Sequence, residues 1–303
     1  MAQRIVYVIG NTKNAGKTTV VKHLLKQMKN ACIASIGLDG ENLDTLSNVP
    51  KPSIQIPAGT YVVSCEKFLQ GSHFELLELL EDNPLAGAVF LARALVESKV
   101  VIAGANTSVI SSIQKRKEFD NIIVDGALDR IVHAGFADNA EIAIVIGASN
   151  HSNTVELQRF IERILSSLMI PLAPFQIKKL FENKHTVCGL TSDGKVKDLG
   201  SSLLNDLKTI EKYEWIFVPG VITEEIVERL RDIRICLLNP FSFFGIASKF
   251  DNIYTMRKLF VRGIYLNFFN RPDLEIRICK TLESFGYKAV DILYVTHRRD
   301  NDG

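Results

Sequence analysis

The chain has 303 residues, of which 47% are hydrophobic and 23% charged, so it can bury the core of one large or two ordinary domains. Its 36 basic and 34 acidic residues leave a net charge of +2, which argues against a nucleic-acid or anionic-membrane surface. No apolar run reaches a membrane span, no signal peptide precedes the first strand pattern, and the five cysteines are scattered, so we expect a cytoplasmic protein.

The first pattern in the chain is a strand, a glycine-bearing loop and a helix. The apolar run from Ile5 to Ile9 predicts a buried strand, and the apolar stripe between Val20 and Met28 has helical spacing. The loop between them, Gly10 to Thr19, reads Gly-Asn-Thr-Lys-Asn-Ala-Gly-Lys-Thr-Thr. This context is the one that a phosphate-binding P-loop requires. The alternative is a strand-to-helix turn that merely contains Gly-Lys-Thr.

Each residue type in the loop has a role in phosphate binding. Gly16 lets the backbone approach a phosphate, which the N–H groups at a helix start bind. Lys17 would reach the β- and γ-phosphates, and the Thr18 hydroxyl would ligate Mg²⁺. The predicted nucleotide-binding residues are Asn14, Gly16, Lys17, Thr18 and Thr19.

The loop departs from the common spacing at its start. The first glycine of the usual motif would stand at position 11, but that residue is Asn11 and the glycine is Gly10. The resulting loop, longer by one residue, resembles that of dethiobiotin synthetase. Lys13 does not stand where the deviant loops of septum-site ATPases have their second lysine, since Thr12 occupies that position.

The second apolar run predicts a strand that ends in an acidic turn. Ala31 to Ile36 reads as this strand, and Asp39 and Glu41 follow it. Because ligands of parallel sheets bind at the carboxyl ends of the strands, we expect Asp39 to approach Mg²⁺ or to orient the attacking water. The alternative is a solvated turn, because Asp-Gly is a common turn pair.

The middle of the chain gives a less regular prediction. Residues 53–63 read as a hairpin inserted at a sheet edge, residues 74–80 as a short helix, and residues 87–91 as a strand. Arg93 and Asn106 are candidate ligand contacts, although isolated polar residues more often serve structure.

A second acidic strand end follows. Asn121 to Gly126 is apolar apart from its first residue until it reaches Asp125. A carboxylate at a strand end, in a chain that also has a P-loop pattern, is the expected partner of Mg²⁺. Asp129 and Arg130 come directly after it, and Arg130 could stabilise phosphoryl charge or pair with Asp129 at the surface.

The rest of the chain resumes alternating strands and helices. Asn153 and Glu156 have capping-box spacing and open a predicted helix that continues to about Leu168. A boundary between residues 206 and 213 would separate a nucleotide-binding domain, 1–210, from a C-terminal α/β segment, 211–303. The alternative is that this segment belongs to the same domain. The predicted fold is a three-layer α/β P-loop NTPase with a mainly parallel sheet and a C-terminal α/β extension.

These landmarks together resemble a known family. The quoted loop, Ile36-Gly37-Leu38-Asp39-Gly40-Glu41 and Val124-Asp125-Gly126-Ala127-Leu128-Asp129-Arg130 are similar to signatures of the P-loop subunit of the reactivating factor of adenosylcobalamin-dependent lysine 5,6-aminomutase. Similar proteins accompany ornithine aminomutase. The resemblance covers residues 1 to about 150.

The resemblance implies a chaperone-like activity. Binding and hydrolysis of ATP with Mg²⁺ would drive release of damaged cobalamin from the aminomutase, and a second reactivating-factor subunit would be a partner. Lys17 and Asp39 would be the catalytic residues, and Thr18, Asp39 and Asp125 would lie at the metal.

Two other functions fit the same loop. One is an ATP-dependent small-molecule kinase or synthetase resembling dethiobiotin synthetase, and the other is a nucleotide sensor that barely hydrolyses. The sequence leaves the oligomeric state open, although P-loop proteins of this class often dimerise across the nucleotide.

Overall fold

The computed structural model describes residues 3–12, 14–36, 53–69, 71–83, 87–126, 140–148, 153–201, 210, 212–269 and 271–297. The chain divides into two compact units. Unit 1 comprises residues 1–134, 140–152 and 261–303, and unit 2 comprises residues 135–139 and 153–260. The predicted C-terminal segment, 211–303, is shared between the two units, because residues 261–303 return to unit 1.

Unit 1 is built on a large sheet. Its strands are β1 Arg4–Gly10, β2 Ala31–Ile36, β3 Ile54–Ile56, β4 Tyr61–Cys65, β5 Phe74–Asn83, β6 Gly87–Ala94, β7 Ser98–Val100, β8 Asn121–Gly126, β9 Glu141–Gly147, β17 Phe260–Asn267 and β18 Ala289–Asp291. Its helices are α1 Lys17–Gln27, α2 Thr107–Ile113, α6 Pro272–Ser284 and α7 Ile292–His297, with a 3₁₀ turn at Glu66–Phe68.

Nine of these strands form one sheet in the order β18-β17-β9-β1-β8-β2-β4-β6-β5. The pairs of β1 with β8 and β9, of β2 with β8 and β4, and of β17 with β18 are parallel. Strand β6 pairs antiparallel with its neighbours β4 and β5. The predicted α/β class with a mainly parallel sheet is therefore confirmed, and β1 lies centrally in it.

The core of unit 1 follows from the apolar patterns. Strand β1 is buried at six successive positions, as expected for a central parallel strand covered on both faces. Helix α1 buries Val20, Val21, Leu24 and Leu25 against the sheet, and leaves its polar side chains on the other face. The spacing of the apolar residues, which predicted this helix, also determines which of its faces packs against the sheet.

Two predictions for the middle segment are wrong. Residues 74–80 form part of β5 and not a helix. The leucines have helical spacing, but two register shifts, between Leu76 and Glu78 and between Leu79 and Glu81, each add a residue to the strand. These bulges put Phe74, Leu76 and Leu79 opposite alternate residues of β6, and so on one face of the sheet.

The predicted hairpin of residues 53–63 also does not form. Its two runs are β3 and β4, which do not pair with each other: β3 pairs with β7, whereas β4 enters the large sheet between β2 and β6. Both strands pair with strands that are distant along the chain, and local turn residues do not indicate such pairings.

Unit 2 has a smaller sheet. Its strands are β10 Val187–Thr191, β11 Val196–Gly200, β12 Tyr213–Val218, β13 Ile222–Thr223, β14 Arg234–Leu237, β15 Phe243–Phe244 and β16 Ile253–Thr255. Its helices are α3 Thr154–Leu168, α4 Phe175–Phe181 and α5 Glu224–Arg229, with 3₁₀ turns at Pro240–Ser242 and Ala247–Lys249.

Five strands of unit 2 are ordered β11-β10-β12-β14-β16, and β13 pairs separately with β15. Two apolar clusters lie on the two faces of the five-stranded sheet, because successive side chains of β12 alternate: Ile216 and Val218 join one cluster, and Trp215 and Phe217 the other. The predicted cap of α3 is confirmed, since Asn153 Oδ1 accepts a hydrogen bond of 2.9 Å from Val155 N. No helix in the described part of the chain is long and apolar enough to span a membrane.

Candidate functional site

The loop between β1 and α1 lies at the carboxyl end of the central part of the sheet. Gly16 is the N-cap of α1 in the left-handed conformation, with φ of 104°, and Thr19 N and Val20 N donate hydrogen bonds to its carbonyl oxygen. A β-carbon at position 16 would lie 2.4 Å from Ile292 Cδ1. The backbone conformation therefore favours glycine here, and a β-carbon would also displace the end of the Ile292 side chain. Asn14 also has a positive φ, of 62°.

Lys17, the first residue of α1, folds back over the loop. Its Nζ donates a hydrogen bond of 3.3 Å to the carbonyl oxygen of Thr12. A β-carbon at Gly10 would lie 3.0 Å from Lys17 Cγ and 3.1 Å from Cδ. The absence of a β-carbon at Gly10 thus leaves room for the aliphatic part of Lys17 to cross the end of β1. This explains physically why a glycine stands at position 10.

Asn11 ties the start of the loop to β9. Its Nδ2 donates to the Gly147 carbonyl oxygen at 2.8 Å, and its Oδ1 accepts from Gly147 N at 2.9 Å. Its backbone N–H also donates to the Val145 carbonyl oxygen at 3.3 Å. Such a two-way amide pairing needs both the donor and the acceptor of an asparagine side chain. The residue that departs from the usual motif is therefore an anchor of this loop.

Two more contacts hold the middle of the loop. A β-carbon at Gly147 would lie 2.6 Å from Ala15 Cα, so the loop backbone rests directly on the end of β9. Asn267, the last residue of β17, donates from Nδ2 to the Ala15 carbonyl oxygen at 3.2 Å, and its own carbonyl oxygen accepts from Ala148 N at 3.1 Å. The loop shape is thus fixed from two neighbouring strands as well as from within.

Asp125 lies beside this loop, next to the end of β8. In the sheet register it stands between Val8 of β1 and Ser35 of β2. Its Oδ1 atom is buried and has no hydrogen-bond partner among the described residues. Burial raises the pKa of the Asp125 carboxyl, while the nearby Lys17 ammonium and the Gly126 backbone N–H act in the opposite direction. An unsatisfied buried carboxylate oxygen is costly unless a cation or a donor meets it.

The structure brings together most of the predicted site residues. Thr18 and Thr19 form the first turn of α1 after Lys17, at the same sheet edge as Asp125. Asp39, predicted to be catalytic and to contact the metal, lies outside the described residues, as do Lys13, Glu41, Asp129 and Arg130. Within the described residues, no group of three or more His, Cys, Asp and Glu side chains could hold a metal ion.

The other candidate contacts have structural roles. Asn106 caps α2, where its Oδ1 accepts from Val109 N at 3.0 Å, and its Nδ2 donates to both carboxylate oxygens of Glu81 at 2.8 and 2.6 Å. The Arg93 guanidinium lies 5.9 Å from the centroid of the Tyr61 ring. These contacts agree with the structural role expected of isolated polar residues.

Sequence reasoning missed Asn267, Gly147 and Ile292 as parts of the loop's surroundings. Asn267 and Gly147 each end an apolar strand pattern, which is the only local signal they carry. Their importance depends on the order of strands in the sheet. Comparison of the chain with protein-family models, curated proteins and solved structures gives no match.

Proposed function

We propose that the Gly10–Thr19 loop is a P-loop that binds ATP with Mg²⁺, in a domain of the three-layer P-loop NTPase fold. The observation that carries this proposal is the pairing of a lysine at a glycine-capped helix start with a buried carboxylate, Asp125, whose Oδ1 has no partner among the described residues. A P-loop site requires both groups, one for phosphate and one for the metal. Gly16 supports it further, because it exposes the start of α1.

The residues at this edge fit a bound Mg²⁺. The Thr18 hydroxyl would contact it directly, and Asp125 would hold it directly or through a water molecule. When bound, Mg²⁺ neutralises the charge of the phosphate oxygens. Lys17 would leave the Thr12 carbonyl oxygen and donate to the β- and γ-phosphates. Asp39 stays the proposed residue that orients the attacking water.

The direct test is ATP binding by Lys17→Ala, measured by calorimetry in the presence of Mg²⁺. We expect the affinity to fall by about 100-fold or more, since several charge-assisted hydrogen bonds to phosphate are lost. The matched control is Lys22→Ala, which removes the same charge from the same helix one and a half turns away. Equal affinities of wild type and Lys17→Ala would contradict the P-loop proposal.

For the wider function, we propose that the chain is the ATP-binding subunit of a reactivating factor for an adenosylcobalamin-dependent aminomutase. Its support is the sequence resemblance over residues 1 to about 150. Radical chemistry sometimes inactivates the cofactor, and a chaperone releases it by binding the enzyme differently in its ATP and ADP states. Only such a difference in affinity can do this work.

A pull-down from the native source in MgATP and in ADP tests this wider proposal. Recovery of a cobalamin-dependent mutase in one nucleotide state and not the other supports it. ATP turnover that requires a small metabolite, with no mutase recovered, would favour the synthetase-like alternative. ATP binding without turnover under any condition would favour a nucleotide sensor.

A further inference from the structure

Unit 2 contains a cavity of about 630 Å³. One wall is a face of α3, on which Glu156, Arg159, Phe160 and Arg163 recur at helical spacing, and the other is formed by the start of α5 and by residues 244–246. This volume lies within the range of small-molecule sites, which are mostly apolar with a few well-placed polar groups. The cavity shares no residue with the loop site.

Arg163 is the most unusual group in this cavity. Its guanidinium lies 4.5 Å from the centroid of the Phe244 ring and 6.0 Å from that of Phe160. Burial lowers the pKa of the Arg163 side chain, and no carboxylate in the described part of the chain forms an ion pair with it or offsets that effect. The planar guanidinium stacks on aromatic rings and keeps its N–H donors for a partner in the plane.

Two of the acidic side chains around the cavity, Glu224 and Glu225, already have partners. Glu224 accepts a hydrogen bond of 2.6 Å from Ile246 N and pairs with Lys249 Nζ at 3.2 Å. Glu225 pairs with Arg229 at 2.6 Å. Because these two carboxylates are engaged elsewhere, they do not neutralise Arg163, and its positive charge remains available to a ligand.

The wall that carries Ile246 is tightly constrained. A β-carbon at Gly245 would lie 2.2 Å from Glu224 Cγ and 2.6 Å from Phe243 Cζ. Glycine at this position lets Glu224 reach Ile246 N, and Phe244 remains 58% exposed at the rim. An apolar ring and an unpaired guanidinium are thereby presented side by side to the cavity.

We propose that this cavity binds a small organic carboxylate with an apolar, preferably aromatic, body. The carboxylate accepts the Arg163 N–H donors, and the apolar body packs against Phe160 and Phe244. A carboxylate matches the planar guanidinium fork and carries a single charge. A neutral ligand would leave Arg163 unpaired, and a dianion would meet the nearby glutamates. The proposal does not depend on the nucleotide site.

Benzoate tests the proposal on the full chain without nucleotide, by saturation-transfer NMR and titration. We expect benzoate to bind saturably, with millimolar or higher affinity. Phenyl phosphate should bind more weakly than benzoate. Benzyl alcohol, which has the same ring and no charge, should bind about tenfold more weakly than benzoate. Arg163→Met keeps the length and apolar contacts of the side chain, and should weaken benzoate binding by about tenfold or more. Phe244→Ala should weaken both benzoate and benzyl alcohol.

The matched control is Arg277→Met, which makes the same change at an exposed arginine of α6 and should leave benzoate binding unchanged. Trp215, the only tryptophan, lies in the core of unit 2 and reports by its fluorescence whether each variant is folded. No saturable binding by wild type, equal binding of benzoate and benzyl alcohol, or unchanged binding by folded Arg163→Met would each overturn the proposal.

Discussion

The loop of unit 1 and the cavity of unit 2 each contain a partly buried cation, but among the described residues only Lys17 interacts with a carboxylate. Lys17 lies close enough to Asp125 to oppose the effect of burial on its carboxyl, and its ammonium also donates to the Thr12 carbonyl oxygen. Arg163 has aromatic rings beside it and no ion-pair partner among the described residues. The two sites therefore differ in how their charge is balanced before any ligand binds.

This difference bears on what each site selects. At the loop, the carboxylate and the ammonium together suit a ligand that brings both negative charge and a metal ion. At the cavity, the Arg163 guanidinium lies beside apolar rings without a carboxylate partner among the described residues, which suits a monoanion with an apolar body. The loop is also packed so closely on β9 that Gly147 has no room for a β-carbon, whereas Phe244 at the cavity rim is largely exposed.

The largest expected effect comes from breaking the close packing of the loop. Gly147→Ala would put a β-carbon 2.6 Å from the backbone atom Ala15 Cα, so the loop or β9 must move. We expect a loss of about 1–3 kcal/mol in the free energy of unfolding, together with weaker ATP binding. Urea denaturation and nucleotide titration measure the two effects.

Gly220→Ala is the matched control for that change. No heavy atom lies within 4 Å of the β-carbon it would add, so its effect on stability should stay within about 0.5 kcal/mol. If both variants were equally stable, the loop would not be held by β9 as its contacts indicate.

The second prediction concerns pH and Asp125. Because burial raises the pKa of this carboxyl in the folded protein, the unfolded chain ionises first as the pH rises through the ordinary value of 3.8. Above that pH the unfolded state binds fewer protons than the folded state, so the group lowers stability until the folded carboxyl also ionises. The asparagine side chain of Asp125→Asn cannot ionise, so this variant does not lose stability in this way as the pH rises. We expect its stability relative to wild type to increase from pH 4 upwards in the absence of nucleotide.

Thermal unfolding of wild type and Asp125→Asn between pH 4 and pH 8 measures this difference in stability. The same measurement is then repeated with MgATP. The metal favours the ionised carboxylate, so MgATP should stabilise wild type much more than Asp125→Asn at pH 8. A difference in stability that does not change with pH would mean that Asp125 is not a desolvated acid in the folded state.

The strand–loop–helix around Lys17 could be predicted because consecutive residues carry its pattern. The apolar run of β1, the glycine at the helix start and the apolar stripe of α1 are each local signals. Asp125 could be predicted for the same reason, as a carboxylate at the end of an apolar run. The contacts of Asn11 could not, since its partner Gly147 is 136 positions away and becomes a neighbour only through the strand order.

The errors have equally specific causes. The sequence predicts a helix for residues 74–80 because two bulges in β5 give the leucines of this strand a spacing that is typical of a helix. The return of β17 to the large sheet after a separate unit of more than 100 residues also carries no local signal in the sequence. The cavity around Arg163 combines α3 with two later segments, so none of the three carries a recognisable motif.

The smallest expected effect separates the unpaired arginine of unit 2 from a paired arginine of unit 1. Arg163→Met should change the free energy of unfolding by less than about 1 kcal/mol, because the loss of its contact with Phe244 is offset by removal of a desolvated charge. Arg262→Met makes the same change where the guanidinium donates to Glu141 at 2.6 Å, and both side chains are about three-quarters buried. It should cost about 1–2 kcal/mol, since Glu141 is left without its partner. Chemical denaturation of the two variants measures the difference, and a larger loss for Arg163→Met would mean that its charge serves the fold of unit 2 rather than a ligand.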